Sequence, residues 1–425
     1  MKVLIIGGGG REHTLAWKLS QSPKVEKIYA LPGNPGMAKV AECIKDIPME
    51  DNGNIVDIAR QFAIDLVVVG PEAPLTCGLV DALEEAGISA FGPSRAAAEL
   101  EGSKSFAKMM MDKYHIPTAK FKVFTEAEAA RAYVKEQGAP IVIKADGLAA
   151  GKGVVVAQTL DEALAAVNDI MEDHSFGSAG NRVVIEECMV GEEASLLAFT
   201  DGETIVPMVS SQDHKRAYDG DKGPNTGGMG TYAPAPVMTK DMIAVAIEKV
   251  LKPIIAGMKA EGRTYKGCLY AGLMITEEGP KVVEFNARFG DPETQVVLPL
   301  LKSDLAEIML ACCHGTLAQQ EIRWSDGAAV CVVLASGGYP GSYAKGMSIH
   351  GLAEAEEAGA MVFHAGTADK NGEIVTSGGR VLGVVAEADN IKTAVDKAYT
   401  GVAKIHFQGM QFRQDIAHRA LERML

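Results

Sequence analysis

Three polar residues alternate with apolar ones late in the chain, in the run Lys281-Val-Val-Glu-Phe-Asn-Ala-Arg-Phe-Gly-Asp-Pro-Glu293. Glu284, Asn286 and Arg288 would share one face of a strand, because successive strand side chains point to opposite faces. A carboxylate and an amide oxygen suit Mg²⁺, which prefers oxygen ligands and keeps positions for waters and phosphates. Arg288 could clamp a carboxylate or a transferring phosphoryl group. Because buried strands rarely carry three such groups without a ligand, the run predicts a metal and phosphate site.

A second run that could do chemistry is rich in glycine and reads Lys144-Ala-Asp-Gly-Leu-Ala-Ala-Gly-Lys-Gly153. It lies between apolar runs at residues 141–143 and 154–156, so we expect a hairpin of two strands with a glycine-rich tip. Glycines let the backbone approach a polyphosphate closely, and lysines supply positive charge in an acidic chain. The spacing is not that of a P-loop, and a solvated hairpin remains the alternative. The candidate nucleotide contacts are Lys144, Gly147, Gly151, Lys152 and Gly153.

Paired acidic residues follow the next apolar run, at residues 183–185. They are Glu186 with Glu187, and Glu192 with Glu193. Carboxylates at the end of a strand could bind an adenine amino group and ribose hydroxyls, because both ligand groups donate hydrogen bonds. Taken alone, a solvated rim explains these residues equally well.

Four glycines, Gly7 to Gly10, follow the first apolar run and precede a segment of helical spacing. A dinucleotide fingerprint requires a third glycine at residue 12 or 13, where Glu12 and His13 stand, and a carboxylate after the second strand, which ends at Ala30-Leu31. The nicotinamide interpretation therefore fails. A phosphate at the helix N-terminus and a purely structural turn both remain open.

Short apolar runs at residues 3–6, 25–30, 65–69 and 87–91 end in glycine or proline turns and alternate with helical segments. This pattern predicts an N-terminal parallel α/β sheet whose loops lie at one edge. Ser103 has the character of a helix N-cap, and a smaller unit of strands and helices follows to about residue 190. Two further strand-like runs, at residues 329–334 and 381–385, precede a last helix at 392–405.

Composition limits the classes of function. The chain has 425 residues, 47% hydrophobic and 23% charged, with a formal net charge of −14, which disfavours nucleic acid and anionic lipid as partners. The seven cysteines are too scattered for a disulfide framework and contain no C-x-x-C pair for zinc. Neither a signal peptide nor an apolar run of about 18 residues is found, so we expect a cytoplasmic protein away from membranes.

Together these motifs resemble those of the ATP-grasp superfamily and, within it, the glycinamide ribonucleotide synthetase family. The resemblance spans essentially the whole chain. It implies an α/β fold with an N-terminal Rossmann-like domain at 1–102, an ATP-grasp domain at 103–322 with a small mobile lid at about 120–190, and a C-terminal α+β domain at 323–425. The segments that carry it are Ile5-Ile-Gly-Gly-Gly-Gly-Arg-Glu-His13, Pro32-Gly-Asn-Pro-Gly36, Gly70-Pro-Glu-Ala-Pro-Leu75, Phe91-Gly-Pro-Ser94, the run 144–153, Gln212-Asp-His-Lys-Arg216, the run 221–230, the run 284–293 and Ser377-Gly-Gly-Arg380.

The resemblance implies a reaction in which ATP, glycine and 5-phosphoribosylamine give glycinamide ribonucleotide, ADP and phosphate in purine synthesis, through an acyl phosphate of glycine. Such chemistry needs positioning and charge neutralisation more than covalent participation by the protein. The implied cofactor is Mg²⁺ or Mn²⁺, with ATP as co-substrate. The resemblance also implies a monomer whose partners are small molecules, with transient contacts to neighbouring pathway enzymes.

The resemblance implies roles for individual residues. The metal ligands would be Glu284 and Asn286. ATP would be bound by Lys104, Lys144, Gly147, Gly151, Lys152, Gly153, Glu186, Glu187 and Glu193. The other substrates would be bound by Gly8, Gly9, Gly10, Asn34, Gly36, Glu72, Asp213, Lys215, Arg216 and Arg288. Catalytic roles would fall to Arg288, Asp213 and Lys144. Two points stay open: whether the sugar phosphate is held by the first helix N-terminus or by Lys215 and Arg216, and whether His214 is a general base or a hydrogen-bonding partner in its loop.

Two rival functions share part of this pattern. A biotin carboxylase or another purine-pathway carboxylase would have the same fold and metal site, but its motif after the metal-binding strand reads differently, and no biotin-accepting Met-Lys-Met is present. A protein that senses nucleotides without turnover would show a degenerate metal site, whereas Glu284, Asn286 and Arg288 are all present.

Overall fold

The computed structural model describes residues 1–149, 153–173 and 175–424, so the predicted ATP contacts Gly151 and Lys152 lie outside the described residues. The N-terminal part is a five-stranded parallel sheet of order β3-β2-β1-β4-β5. Residues 3–6 of the central strand are fully buried, as expected when helices cover both faces of a parallel sheet. Its elements are β1 (Lys2–Gly7), α1 (Gly10–Leu19), β2 (Lys27–Pro32), β3 (Glu42–Cys43), α2 (Asn52–Gln61), β4 (Leu66–Val69), α3 (Glu72–Thr76), α4 (Leu79–Glu85), β5 (Ser89–Phe91) and α5 (Arg95–Gly102).

A smaller four-stranded antiparallel sheet of order β6-β9-β7-β8 follows, and we call it the lid sheet. The predicted hairpin is confirmed, since β7 pairs with β8 on either side of the glycine-rich run. The Ser103 side chain accepts a hydrogen bond from the Phe106 N–H, which confirms the predicted N-cap. The elements are α6 (Lys104–Lys113), β6 (Phe121–Phe124), α7 (Ala127–Gln137), β7 (Ile141–Ala145), β8 (Val154–Ala157), α8 (Leu160–Met171) and β9 (Val183–Glu187).

The larger sheet of the central region is antiparallel and has the order β11-β10-β16-β17. Its last strand, β17, carries Glu284 and Asn286. The elements of this region are β10 (Glu192–Thr200), β11 (Ile205–Pro207), β12 (Gln212–Asp213), β13 (Arg216–Tyr218), β14 (Lys222–Asn225), β15 (Gly230–Ala233), α9 (Lys240–Ala246), α10 (Lys252–Ala260), β16 (Gly267–Thr276), β17 (Gly279–Asn286), α11 (Thr294–Val297) and α12 (Leu305–His314).

The C-terminal sheet draws strands from two distant parts of the chain. Its order is β12-β15-β18-β22-β19, with β23 also paired to β18, so the segment that contains Asp213 is hydrogen-bonded into the same sheet as the chain's end. The remaining elements are β18 (Ala328–Ser336), α13 (Leu352–Glu357), β19 (Met361–His364), β20 (Thr367–Lys370), β21 (Glu373–Thr376), β22 (Arg380–Ala388), α14 (Ile391–Val402), β23 (Met410–Gln411) and α15 (His418–Glu422).

The architecture confirms the predicted α/β class, with a parallel N-terminal sheet, a central region that carries the lid sheet, and a C-terminal unit. All seven cysteines are free thiols. Among the described residues, every helix is too short or too polar to cross a membrane.

Candidate active site

The structure brings Glu284, Asn286 and Arg288 together at the end of β17. The Asn286 Nδ2 lies 3.5 Å from Glu284 Oε1, and Arg288 Nη2 donates to Asn286 Oδ1 at 3.3 Å. A β-bulge interrupts the register between β16 and β17 beside Glu284, which is a common device for aiming a side chain at a site. The face predicted from alternation is therefore a real cluster of polar groups.

Three lysines set the charge state of Glu284. Burial favours the neutral acid, but Lys215, Lys144 and Lys104 outweigh burial and lower the pKa of Glu284 below its usual value. The same burial lowers the pKa of Lys104, against the opposing effect of the Glu284 carboxylate. An anionic Glu284 faced by several cations is a suitable surrounding for a metal ion with its phosphate ligands.

The donor set fits a divalent cation that is completed by substrate. One carboxylate and one amide oxygen are hard ligands, and Mg²⁺ commonly takes one or two carboxylates plus phosphates and waters. Within the described ranges no group of three or more His, Cys, Asp or Glu side chains is placed to hold a metal by itself. Glu284 and Asn286 therefore suit a metal that arrives with a nucleotide.

Arg288 is held by carboxylates from the N-terminal part of the chain. Its Nη2 lies 2.9 Å from Glu101 Oε1, and its Nε lies 3.4 Å from Glu72 Oε2. Glu101 also accepts a hydrogen bond from the Ala287 N–H at 2.6 Å. Burial raises the pKa of Glu101, although Arg288 opposes that effect. For Glu72 burial acts in the same direction, but Arg288 and Arg11 outweigh it and lower the pKa.

The two predicted phosphate lysines lie where the lid sheet meets the central sheet. Lys104 Nζ donates to the carbonyl of Gly147 at 3.0 Å, and Lys144 Nζ donates to the carbonyl of Val283 at 3.1 Å. Gly147 leaves no room for a side chain, since a Cβ there would lie 2.8 Å from the Cβ of Ala179. The glycine-rich run thus begins directly beside the strand that carries Glu284.

Glu186 and Glu187 occupy different environments. Glu186 is 3% exposed, and its Oε1 accepts no hydrogen bond from the described residues although Lys144 Nζ lies 2.9 Å away. A buried acceptor without a donor is rare in folded proteins and suits a ligand that supplies one. The exposed Glu187 instead accepts from the N–H of Lys120 at 3.0 Å.

Lys108 is a buried residue of this region that sequence reasoning missed. It is 2% exposed, and its Nζ lies 3.0 Å from Glu186 Oε2. Burial lowers its pKa to about 8, against the opposing effect of Glu186. Lys104 and Lys108 are four residues apart on α6 and therefore share a face, which is the signal that could have identified it.

Asp213 and Lys215 point into the site, and their neighbour Arg216 does not. Lys215 Nζ lies 3.0 Å from Asp213 Oδ2 and 3.6 Å from Glu193 Oε2. Burial alone would lower the pKa of Lys215, but Asp213 and Glu193 outweigh it and raise the pKa well above its usual value. The Arg216 guanidinium donates to the carbonyl of Gly223 at 2.7 Å, in the hairpin of β13 and β14.

His214 lies between Asp213 and Lys215 in the chain and is fully buried. Its Nε2 accepts a hydrogen bond from the Ala417 N–H at 3.0 Å, and its Nδ1 lies 4.0 Å from Asp221. Burial lowers the pKa of His214. These contacts favour the hydrogen-bonding role over the general-base role, because the basic nitrogen is already used by the backbone.

The N-terminal glycine loop packs against the rest of the protein. A Cβ on Gly8 would lie 2.4 Å from the Gly33 carbonyl oxygen, one on Gly9 2.8 Å from Glu12 Oε2, and one on Gly10 2.6 Å from Gln295 Nε2. Glu12 already accepts from the Gly9 N–H at 2.7 Å. Packing therefore leaves no room for a side chain at Gly8, which meets backbone, whereas Gly9 and Gly10 meet the flexible ends of long side chains.

Asn34 and Gly36 connect this loop to the C-terminal sheet. Asn34 Nδ2 donates to the carbonyls of Gly8 and His364, each at 2.9 Å. A Cβ on Gly36 would lie 2.4 Å from His13 Cε1 and 2.6 Å from the His364 ring. The predicted substrate loops are thus brought together by a contact between the N-terminal and C-terminal sheets that involves two buried histidines.

These histidines should make stability fall with acid. Burial, with help from nearby cationic groups, lowers the pKa of His13 to about 3 and that of His364 to about 4. The folded protein keeps both neutral while the unfolded chain protonates them below their ordinary pKa of about 6.5. Between about pH 6.5 and 4 each histidine should therefore reduce the free energy of unfolding, by up to about 1.4 kcal/mol per pH unit. Urea denaturation across this range measures the slope.

The matched variants for this prediction are His364→Gln and the exposed-site control His406→Gln. We expect the first to flatten the dependence of the urea midpoint on pH and the second to leave it unchanged. Equal slopes in both variants would contradict a role for the buried pair.

Comparison with known families gives matches along most of the chain. Models of the phosphoribosylglycinamide synthetase N domain, ATP-grasp (A) domain and C domain match residues 1–101, 102–294 and 329–419. The chain is 54% identical to the phosphoribosylamine–glycine ligase of Vibrio cholerae, over all of this chain and 99% of that protein.

Comparison with solved structures also finds similar proteins, at lower sequence identity. The crystal structure of phosphoribosylamine–glycine ligase from Thermotoga maritima is similar with a TM-score of 0.87 and 34% identity, covering 98% of this chain and all of that one. The biotin carboxylase domain of 2-oxoglutarate carboxylase from Hydrogenobacter thermophilus has a TM-score of 0.72 over 97% of this chain and 91% of that one. At 17% identity this second likeness concerns the fold alone.

Proposed function

Since the chain belongs to the phosphoribosylglycinamide synthetase family, we propose that the cluster at the end of β17 joins glycine to phosphoribosylamine through glycyl phosphate. The protein is an ATP-dependent ligase of purine biosynthesis. The observation that carries the proposal is the meeting of Glu284, Asn286 and Arg288 with the lysines beside the glycine-rich hairpin. Metal ligands, phosphate-binding cations and a carboxylate-binding arginine are the parts that acyl phosphate formation requires.

The proposed chemistry has two displacements. A carboxylate oxygen of glycine attacks the γ-phosphorus of ATP, so that a P–O bond forms and ADP leaves. The amine of phosphoribosylamine then attacks the acyl carbon, a C–N bond forms, phosphate leaves and the amine gives up a proton. Arg288 orients the glycine carboxylate and the acyl phosphate by bidentate hydrogen bonds. Asp213 binds the glycine ammonium, and Lys144 neutralises charge on the transferring phosphoryl group.

ATP-grasp enzymes in general use ATP with a divalent metal, and we propose Mg²⁺ or Mn²⁺ for this chain. Glu284 and Asn286 would hold the ion. When bound, it would supply positive charge that neutralises the phosphate oxygens. Lys104 and Lys144 would contact the α- and β-phosphates, and Gly147, Gly151, Lys152 and Gly153 remain the proposed ATP contacts of the glycine-rich run. Glu186, Glu187 and Glu193 remain the proposed nucleoside contacts, of which the orphaned oxygen of Glu186 has the firmest support.

We propose that phosphoribosylamine binds between the N-terminal loops and the central sheet, at Gly8, Gly9, Gly10, Asn34, Gly36 and Glu72. For its phosphate, Lys215 suits better than Arg216, because Lys215 faces the site and Arg216 faces the outer hairpin.

We also propose domain limits at 1–102, 103–322 and 323–425, with a lid at about 120–190. We propose that the protein is a monomer in solution, makes transient contacts with neighbouring pathway enzymes and is located in the cytoplasm. The seven free thiols support a reducing compartment.

The test of the function is ADP release from ATP and Mg²⁺, with glycine and freshly made phosphoribosylamine added singly and together. We expect turnover only with both, and one glycine consumed for each ADP. Turnover that is indifferent to glycine, or that requires bicarbonate, would contradict the ligase and favour a carboxylase on the same fold.

Lys144→Ala should weaken ATP binding by about tenfold and glycine binding far less, because a charge-assisted contact to phosphate contributes about 1.5 to 3 kcal/mol. Titration calorimetry with an ATP analogue that has an imido group between the β- and γ-phosphates measures the first effect. The KM for glycine measures the second. Equal losses for both ligands would argue against a phosphate role for this lysine.

A further inference from the structure

Two lysines share one buried glutamate where α6 packs against the lid sheet. Lys108 Nζ lies 3.0 Å from Glu186 Oε2, and Lys144 Nζ lies 2.9 Å from Glu186 Oε1. The side chains of Lys108, Lys144 and Glu186 are 2%, 6% and 3% exposed. We call these three residues the Lys–Glu–Lys cluster. Its formal charge is one positive unit, in surroundings where an uncompensated charge is costly.

Lys108 is fixed in this cluster from several directions. Besides Glu186, its ammonium donates to Thr118 Oγ1 at 2.7 Å and lies over the ring of Phe121, 5.4 Å from the centroid. Thr118 Oγ1 in turn donates to the carbonyl of Val282 at 2.6 Å. The ammonium of Lys108 is thus surrounded by a hydroxyl oxygen, a carboxylate and an aromatic face, all of them from the protein.

Lys144 is held less firmly. Its ammonium is close to Glu186 Oε1 but outside hydrogen-bonding geometry, since that oxygen accepts no hydrogen bond from the described residues. It donates to the carbonyl of Val283 instead, one residue before the metal candidate Glu284. The two lysines thus differ in the partners they have besides Glu186: Lys108 has Thr118 and the ring of Phe121, whereas Lys144 has a carbonyl on the strand that carries Glu284.

We propose that Lys108 is a positioning residue that serves as the permanent counter-ion of Glu186, so that Lys144 is available to the phosphates of ATP. The inference rests on the proposed phosphate role of Lys144. Without Lys108, the buried carboxylate would have Lys144 as its remaining close cation. ATP would then compete with Glu186 for the same ammonium group, and nucleotide affinity would fall.

The experiment compares Lys108→Met, which keeps the length and removes the charge, with the double variant Lys108→Met/Glu186→Gln. We expect the single variant to bind the imido analogue of ATP about tenfold more weakly, with kcat at saturating ATP within about threefold of the unmodified protein. Glu186→Gln alone is the reference for the double variant, because Glu186 is also a proposed nucleoside contact. The double variant should bind the analogue within about threefold of Glu186→Gln, because a neutral glutamine does not capture Lys144 and the loss of Lys108 then has no further effect.

Several outcomes overturn the proposal. An affinity of Lys108→Met equal to that of the unmodified protein would show that Lys144 is not captured. A double variant that binds the analogue about tenfold more weakly than Glu186→Gln alone would show that Lys108 acts by some route other than the charge of Glu186. If Lys108→Met does not fold, the double variant, which has lost both charges, still gives the decisive affinity.

Two more variants separate this inference from the proposed function. Lys113→Met, on the same helix but paired with Glu261 at the surface, is the matched control and should change nothing. Lys144→Met should weaken binding of the ATP analogue. If Lys144→Met has no effect, the proposed phosphate site is wrong. If it has an effect while Lys108→Met has none, only the role of Lys108 is wrong.

Discussion

Replacement of Glu284 by glutamine should lower kcat for ATP-driven ligation by about a thousandfold, the size of effect seen when one preorganised electrostatic group is removed from an active site. Glutamine keeps the shape and one oxygen but loses the charge that Lys215, Lys144 and Lys104 surround. The metal site would then have no protein anion among its two proposed ligands, and the cations would repel an incoming divalent ion. Steady-state ADP release with glycine and phosphoribosylamine measures the loss.

The dependence on metal concentration makes this prediction specific. We expect the Mg²⁺ concentration for half-maximal activity to rise by about ten- to a hundredfold in Glu284→Gln. Glu278→Gln is the control, because Glu278 lies just before the same strand, is 78% exposed and pairs with Lys281 at the surface. Its turnover should match that of the unmodified protein. Near-normal turnover of Glu284→Gln at ordinary Mg²⁺ would show that the metal binds elsewhere.

Local periodicity in the sequence was enough to predict the cluster of polar groups on β17 and the α/β class. Alternation along a strand requires no knowledge of the rest of the fold, so Glu284 and Asn286 could be placed on one face from their spacing alone. The hairpin around the glycine-rich run and the N-cap at Ser103 are equally local, since their signals lie within a few residues. Each was confirmed because tertiary packing acts in the same direction as the local preference.

The partners of these residues could not be predicted in the same way. Glu101 meets Arg288 across nearly the whole central region, and nothing around residue 101 marks it as an ion-pair partner. β15 joins the C-terminal sheet beside β18, a pairing between distant segments that a one-dimensional pattern does not contain. The spacing of Lys104 and Lys108 did carry a usable signal, but a lysine on a helix is normally solvated, so its burial had to be seen.

The glycine loop shows a different limit of sequence reasoning. A phosphate site and a structural turn were both open for Gly8, Gly9 and Gly10. At Gly8 a side chain would meet the backbone of Gly33, whereas the close neighbours of Gly9 and Gly10 are the flexible ends of Glu12 and Gln295. The Arg11 N–H at the start of α1 already lies 3.4 Å from Asp291 Oδ2. Packing alone therefore explains the glycine at position 8. A phosphate-binding role for the loop needs support from the residues around it.

Arg288→Lys should lower kcat by about a hundredfold and raise the KM for glycine by about tenfold, while affinity for the imido analogue of ATP stays within about threefold. The guanidinium is 16% exposed and reaches Glu101, Glu72 and Asn286 at once through its fork. Lysine keeps the charge but cannot make these contacts and also bind a carboxylate bidentately.

Because lysine keeps the positive charge, the Arg288→Lys variant should still fold. Glu72 and Glu101 retain a cation nearby, so we expect a stability loss of only about 1 to 2 kcal/mol. Loss of Arg288 altogether would instead leave the buried carboxylate of Glu101 without its cation and close to the half-buried Glu72, which is strongly destabilising. Arg323→Lys, at an exposed position, is the control and should leave kcat and the KM for glycine unchanged. Equal losses of ATP and glycine binding in Arg288→Lys would mean that the arginine supports the whole site. If only kcat and the KM for glycine change, the glycine carboxylate lies between Arg288 and the proposed metal ligands Glu284 and Asn286. The contacts of the Arg288 guanidinium with Asn286 and Glu101 direct it towards that position.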